Sequence, residues 1–372
     1  MKIGVRISDS MSLWILVLAL VGFGLLMVLD TSAMFSNQQY GTPYHFFVRQ
    51  VVYACVGFGA MVLLARSDYS SYRRHAIWIL IGSAVLLGLV FIPGLGKTVR
   101  GARRWIMVGP LSFQPSELVK LTLIFYLSAV LSKYSKKDMK DLWHGYIKYL
   151  IFAVPILAII LAQKDFGTTV ITGMVVFILL FLAGIRWRYM IVSFILTIPL
   201  IAYLLKDPYR RARIMAFQDP WKDPLGAGFQ LIQSQVSFGS GGLLGQGFAN
   251  GNQKLFFLPD AHTDFIFSMI AEEFGLLGVC AVLLLFVLFL FFGIRIALRA
   301  PDSFGFLLAA GITLLISLQV VLNAAVVMGA LPTKGMVFPF LSYGGTALVV
   351  NLMAVGVLLS ISKYCVVRSR PR

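Results

Sequence analysis

The chain is short of charge, and of acidic charge above all. Of its 372 residues only 13% are charged, and 15 acidic residues stand against 32 lysines and arginines. A soluble globular domain carries about a quarter of its residues as charged side chains. The hydrophobic share of 59% and the mean hydropathy of +0.87 exclude that class. Cysteine is also scarce. Cys55 and Cys280 lie inside apolar runs and Cys365 lies near the C-terminal end, a scatter that gives neither a disulfide framework nor a metal cluster. No glycine run has the G-x-x-x-x-G-K-[ST] spacing or a strand-turn-helix dinucleotide pattern, which argues against a nucleotide-driven machine. The net charge of +17 would suggest a nucleic-acid ligand in a soluble protein, but its distribution along this chain speaks against one.

What is plentiful is apolar sequence. Runs able to cross a hydrocarbon core of about 30 Å recur over the whole length, and predict an all-α polytopic membrane protein forming one domain over residues 1–372. We place about ten spans, at 12–35, 46–65, 76–92, 116–131, 147–162, 166–185, 189–205, 265–294, 304–328 and 341–361. The first follows Lys2 and Arg6 and is too long for a signal peptide, so it is expected to remain as a span. Lysines and arginines concentrate in the odd segments, which puts both termini in the cytoplasm. The stretch from Lys133 to Lys148 then becomes a basic cytoplasmic hairpin, and a large extracytoplasmic loop, 206–264, joins spans seven and eight.

Two outward segments run against this trend. One holds Lys97, Arg100, Arg103 and Arg104; the other holds Lys206, Arg210, Arg211, Arg213, Lys222 and Lys254. Arginine and lysine suit phosphate oxygens, so an anionic partner at the outer leaflet is one reading. The other is that long loops translocate whatever their charge. Residues 230–237 are expected to form an amphipathic helix at the interface. The glycine-rich loop at 94–117 leads into the fourth span, where Glu117 and Lys120 share a helix face as a structural ion pair or as part of a substrate path. Asp165 either faces the outer cavity or caps the sixth helix. A further outward loop at 329–345 brings Lys334, Ser342 and Tyr343 back toward the membrane.

The scarce acids gather at one place, LPDAHTDFIFSMIAEEFG, with Asp260, His262, Asp264, Glu272 and Glu273. A helix starting near Thr263 would put Asp264, Ser268 and Glu272 on one face. Asp264 would then stand at the water boundary and Glu272 about 12 Å deeper, inside the membrane. Ionisable groups at such depth point to function; a capping cluster is the plainer reading.

Together these stretches resemble the SEDS family (shape, elongation, division and sporulation) of peptidoglycan polymerases. The resemblance is carried by GARRWI at 101–106, FQPSELVKL at 113–121, DFGT at 165–168, DPLGAGFQLIQS at 223–234, GLLGQG at 242–247, LPDAHTDFIF at 258–267, AEEFG at 271–275, LPTKG at 331–335 and SYGG at 342–345. The LPTKG and AHTD forms are closer to the division-type (FtsW-like) branch than to the elongation-type (RodA-like) branch. The chain departs from the family pattern at Lys164, where proline is common, and at Asp260, where glutamate is.

The resemblance implies polymerisation of lipid II at the outer face of the cytoplasmic membrane, with Asp264 as the catalytic acid and also a possible metal ligand. It further implies a divalent cation (Mg or Mn), a class B penicillin-binding protein and other division proteins as partners, and a place in the inner membrane at the septum. Arg103, Arg104, Lys120, Asp165, His262, Lys334 and Ser342 are the expected substrate contacts, and Glu117, Lys120 and Glu272 the expected ion pair or substrate path. A lipid II flippase and a non-catalytic scaffold are the alternatives. Membrane lipids, and a partner helix packed on 279–292 or 307–322, complete the expected contacts.

Overall fold

The computed structural model describes residues 6–99, 102–109, 111–133, 141–142, 146–204, 206–254 and 257–365. Most of the expected basic hairpin, together with Lys2, Arg100 and the C-terminal arginines, lies outside the described residues. Each expected span carries a helix: α1 (Arg6–Tyr40), α2 (His45–Arg66), α3 (Tyr69–Leu89), α4 (Pro115–Leu131), α5 (Lys148–Ala162), α6 (Phe166–Leu182), α7 (Trp187–Leu204), α10 (Ile266–Arg299), α11 (Ser303–Val327) and α12 (Gly345–Lys363). Among the described residues, α1, α2, α10, α11 and α12 are by themselves long and apolar enough to cross a membrane. The protein is a multi-pass membrane protein. Its large loop is itself structured, with α8 (Pro208–Gln218) and α9 (Phe229–Gly241).

Two expectations are revised. The loop at 94–117 contains an antiparallel meander of β1 (Gly96–Val99), β2 (Ala102–Val108) and β3 (Leu111–Phe113). Tyr53 of α2 donates to the Ser112 carbonyl at 3.0 Å, and Thr346 of α12 donates to the same carbonyl at 3.2 Å, so the sheet is tied to the bundle. Residues 307–322 of α11 are not a free face: Leu308, Ala309, Ile312 and Ile316 are fully buried, and the helix packs on α4, α6, α10 and α12. On α10, by contrast, Leu284, Val287 and Phe291 are exposed.

α1 and α10 are joined at both ends by charge. At the cytoplasmic end Asp9 meets Arg295 at 3.1 Å and Arg299 at 2.7 Å. At the other end Lys254 meets Asp30 of α1 at 2.6 Å and Glu273 of α10 at 2.7 Å. Between the clusters, 10–29 of α1 and 274–294 of α10 contain no charged residue. Each interval spans about 30 Å of helix, the thickness of a hydrocarbon core. Glu272 and Glu273 therefore mark the outer edge of the membrane, and Glu272 is not a helix-depth inside it.

α10 is broken at Gly275, whose φ of 63° and ψ of −161° suit glycine alone. Into the break fits the hairpin that follows α9. Gln246 and Gly247 donate their N–H groups to the carbonyls of Glu272 and Glu273, both at 3.0 Å, while Leu276 and Leu277 donate to those of Gly242 and Leu243 at 2.9 and 3.2 Å. A Cβ on Gly275 would lie 2.4 Å from the Gly245 nitrogen. Gly275→Ala should lower the melting temperature of the purified protein markedly, through the left-handed backbone and the clash together. Gly22→Ala, where a Cβ meets nothing within 4 Å, should leave it unchanged or raised.

Glu117 and Lys120 form the expected buried pair, with the ammonium 2.9 and 2.8 Å from the two carboxylate oxygens. Removing one partner leaves an uncompensated charge and is expected to cost about 3–5 kcal/mol, while removing both costs less. Glu117→Gln and Lys120→Met alone should therefore express poorly and the double variant should recover. Three well-folded, inactive variants would instead place the pair in a substrate path.

Candidate active site

Asp264 lies in a turn just ahead of α10, not within it. Asp260 adopts φ of 58°, and its carbonyl accepts the N–H groups of Thr263 at 3.0 Å and Asp264 at 3.1 Å. The helix begins only at Ile266, so the expected common face of Asp264, Ser268 and Glu272 is not formed. Ser268 instead faces Ser234 of α9, with their hydroxyls 2.8 Å apart. Glu272 accepts the N–H groups of Asn252 at 2.8 Å and Gln253 at 3.3 Å, holding the loop that leads to Asp264. It serves that loop and lies apart from the Glu117–Lys120 pair on α4.

Asn323, buried on α11, fixes the turn from below. Its Nδ2 donates to the Asp264 carbonyl at 3.1 Å and to the Met336 carbonyl. The loop 333–336 is thereby brought against the acid, and a Cβ on Gly335 would lie 3.3 Å from Asp264 Oδ2. Any larger residue would crowd that carboxylate. In the same loop, the Lys334 ammonium lies over the Phe166 ring, 5.1 Å from its centroid, and burial lowers its pKa from the ordinary lysine value. Arg213 of α8 reaches this loop and donates to the Thr333 carbonyl at 3.1 Å. The loop 333–336 thus meets α8 through Arg213, α11 through Asn323 and the turn of Asp264 through Gly335.

The remaining expected contacts divide into two groups. Arg103 and Arg104 are adjacent on β2 and so point to opposite sides of the sheet. Arg103 is exposed, with a bond to Thr98 Oγ1 at 3.2 Å. Arg104 turns inward, donating to the carbonyls of Gln163 and Lys164 and standing 3.7 Å from Asp165. Asp165 is buried; it caps α6 through the Thr168 N–H at 3.2 Å and accepts from Gln114 at 3.3 Å. Both make contacts within the framework, and Asp165 forms the helix cap that was one of its two readings. Ser342 is also structural: its hydroxyl accepts the Phe338 N–H at 2.9 Å and its carbonyl accepts Gln50 Nε2 at 3.0 Å.

His262 stacks among Phe35, Phe46 and Tyr343. Burial, opposed in part by the Asp260 carboxylate, lowers its imidazole to about 4, so the ring is neutral at pH 7. Among the described residues no three His, Cys, Asp or Glu side chains come together, so Asp264 is the carboxylate here that a divalent cation could share with a substrate phosphate. Asn323 and Arg213 were not among the expected site residues. An asparagine in the apolar run of α11 was the available signal for the first; Arg213 was visible only as one member of a basic cluster.

This arrangement has known counterparts. A model of the cell cycle protein family of FtsW, RodA and SpoVE matches residues 10–366. The probable peptidoglycan glycosyltransferase FtsW of Geobacter sulfurreducens is 43% identical, over 97% of this chain and 98% of that one. Stage V sporulation protein E of Bacillus subtilis is 40% identical, over 96% and 98%. Among solved structures, a chain of a peptidoglycan synthase complex that coordinates polymerization and crosslinking superposes with a TM-score of 0.78, at 30% identity, covering 94% of this chain and 96% of that one. The rod shape determining protein RodA of Thermus thermophilus superposes with a TM-score of 0.70, at 26% identity, covering 94% and 95%. Matched over nearly its whole length, the chain belongs to the cell cycle protein family of FtsW, RodA and SpoVE.

Proposed function

We propose that this protein is a peptidoglycan glycosyltransferase that polymerises lipid II into β-1,4-linked glycan strands at the outer face of the cytoplasmic membrane. The observation that carries the reading is the Asp264 carboxylate facing Gly335, in the loop that carries Lys334, in a family whose relatives carry that activity in their names. In the step proposed, Asp264 takes the proton from the acceptor sugar hydroxyl as its oxygen attacks the anomeric carbon of the donor. The bond from that carbon to the diphosphate breaks on the opposite side, so the α-linked donor gives a β linkage. Lys334 and Arg213, which meet in the loop 333–336, are the cations we propose to help the departing diphosphate. A divalent cation would have to arrive with that diphosphate, since Mg²⁺ is commonly held by one or two carboxylates and substrate phosphates together.

The flippase reading rests on buried charge in the bundle, but the Glu117–Lys120 pair is closed on itself. We assign the protein to the division branch, at the septum, with a class B penicillin-binding protein whose single helix would lie on the exposed face of α10. Crosslinking from Leu284 and Val287 in cells tests this: capture of the septal transpeptidase is expected, and capture of the elongation-specific one reverses the assignment.

Asp264→Asn keeps shape and removes charge. With labelled lipid II and product resolved on a gel, polymerisation should fall by about 10²–10⁴-fold; activity near the wild-type level would end the base assignment. The two arginines of β2 should behave differently. Arg103→Gln should raise the lipid II concentration needed for half-maximal rate without loss of stability. Arg104→Gln should lower stability by about 1–3 kcal/mol, since it removes the donors to the Gln163 and Lys164 carbonyls and the cation next to the buried Asp165.

A further inference from the structure

The hairpin that fills the break in α10 has an outer surface that the proposed reaction does not use. Leu243 and Leu244 at its tip are 69% and 77% exposed, and Leu276 and Leu277 beside them on α10 are 51% and 61% exposed. They form one apolar patch, continuous with the exposed Leu284, Val287 and Phe291 further along α10.

Three observations say what covers it. The first is depth: Gly275, flanked by the residues to which the hairpin is bonded, lies twenty residues along α10 from Arg295, or about 30 Å, one hydrocarbon thickness from the cytoplasmic ion cluster. The second is charge. Between Asp223 and Lys254 the chain has no charged residue and no histidine, an unusual composition for a loop in water and one suited to the membrane boundary. The third is hydrogen bonding. Irregular backbone enters lipid where its polar groups find partners in protein, and here the N–H groups of Gln246 and Gly247 and the carbonyls of Gly242 and Leu243 are bonded to α10, while Gly245 donates to the Gly241 carbonyl at 2.8 Å.

We propose that the hairpin at 242–248 is embedded in the outer leaflet, with Leu243 and Leu244 among lipid acyl chains, and is not part of the aqueous extracytoplasmic loop. Phe248 packs on Phe274, with ring centroids 6.0 Å apart, at the same level, while Asn250 and Asn252 are exposed where headgroups begin. Embedding of this kind fits an element lying at the boundary between headgroups and acyl chains. It also sets the height of the site, because Glu272 and Glu273 grip residues 252–254 on the path from the hairpin to Asp264.

The test uses the full chain, purified alone and placed in nanodiscs of phosphatidylethanolamine and phosphatidylglycerol. With Cys55, Cys280 and Cys365 replaced, a single cysteine is introduced as Leu244→Cys and carries a small fluorophore; Leu243→Cys is a second reporter and the exposed Lys222→Cys an aqueous control. Lipids with a nitroxide high on the acyl chain should quench the Leu244 label several-fold more than dissolved iodide does, with the reverse order at Lys222. Equal iodide quenching at Leu244 and Lys222 would overturn the proposal, as would a Leu244 label shielded from both quenchers, which would mean cover by protein. A melting temperature matching the parent's keeps either result free of misfolding.

Discussion

A helix interrupted at a membrane surface strands backbone groups that lipid cannot satisfy, and each buried unpaired group costs about 1–3 kcal/mol. The break at Gly275 is of this kind, and the surrounding structure is built to answer it. The glycines after α9 let a hairpin approach closely enough to take the freed carbonyls of Glu272 and Glu273 and to offer its own to Leu276 and Leu277. A Cβ on Gly245 would lie 2.2 Å from the Glu273 carbonyl oxygen, so the approach depends on its absence. The same two glutamates then use their side chains on residues 252–254. One short run of α10 thus holds two separate parts of the loop by main chain and side chain at once.

This lacing gives the acidic residues distinct tasks. Glu272 and Glu273 fix a loop, Asp30 and Asp9 join α1 to α10, Asp165 caps α6, and Glu117 is paired with Lys120. Asp264 is the acid brought against the loop of Lys334, in the turn just ahead of α10. The cations divide in the same manner. Arg104, Lys120 and Lys254 belong to the framework through carboxylates or carbonyls, whereas Arg103 is exposed and Lys334 and Arg213 meet in the loop 333–336 that faces Asp264.

Much of this was legible in the sequence because membrane burial writes in long apolar runs. The positions of the helices that carry the expected spans could be read from the apolar runs, and the gathering of acids around Asp264 from its motif. The meander at 96–113 could not, because its strands are short and rest on α2 and α12 through Tyr53 and Thr346, contacts far away in sequence. Ser342 looked like a polar group returning to a cavity; its hydroxyl and carbonyl are used by Phe338 and Gln50. The depth given to Glu272 assumed an unbroken helix from Thr263, and both the late start at Ile266 and the break at Gly275 moved it to the membrane edge. α11 appeared free because its apolar residues surround the helix, a pattern that equally describes a helix buried on all sides.

The two departures from the family pattern share a physical feature. Lys164 and Asp260 both have positive φ, of 62° and 58°, in the turns that precede Asp165 and Asp264. Proline, held near −65°, cannot adopt the conformation at Lys164, so the family's usual residue there would require a different turn. That turn supplies two of the carbonyls that bind Arg104. Arg104 is on β2, next to the exposed Arg103, so a substitution beside a capping aspartate bears on the strand of the exposed cation through the Arg104 side chain. At Asp260 the short side chain tolerates the left-handed region better than glutamate would, and the turn it closes is the one that presents Asp264.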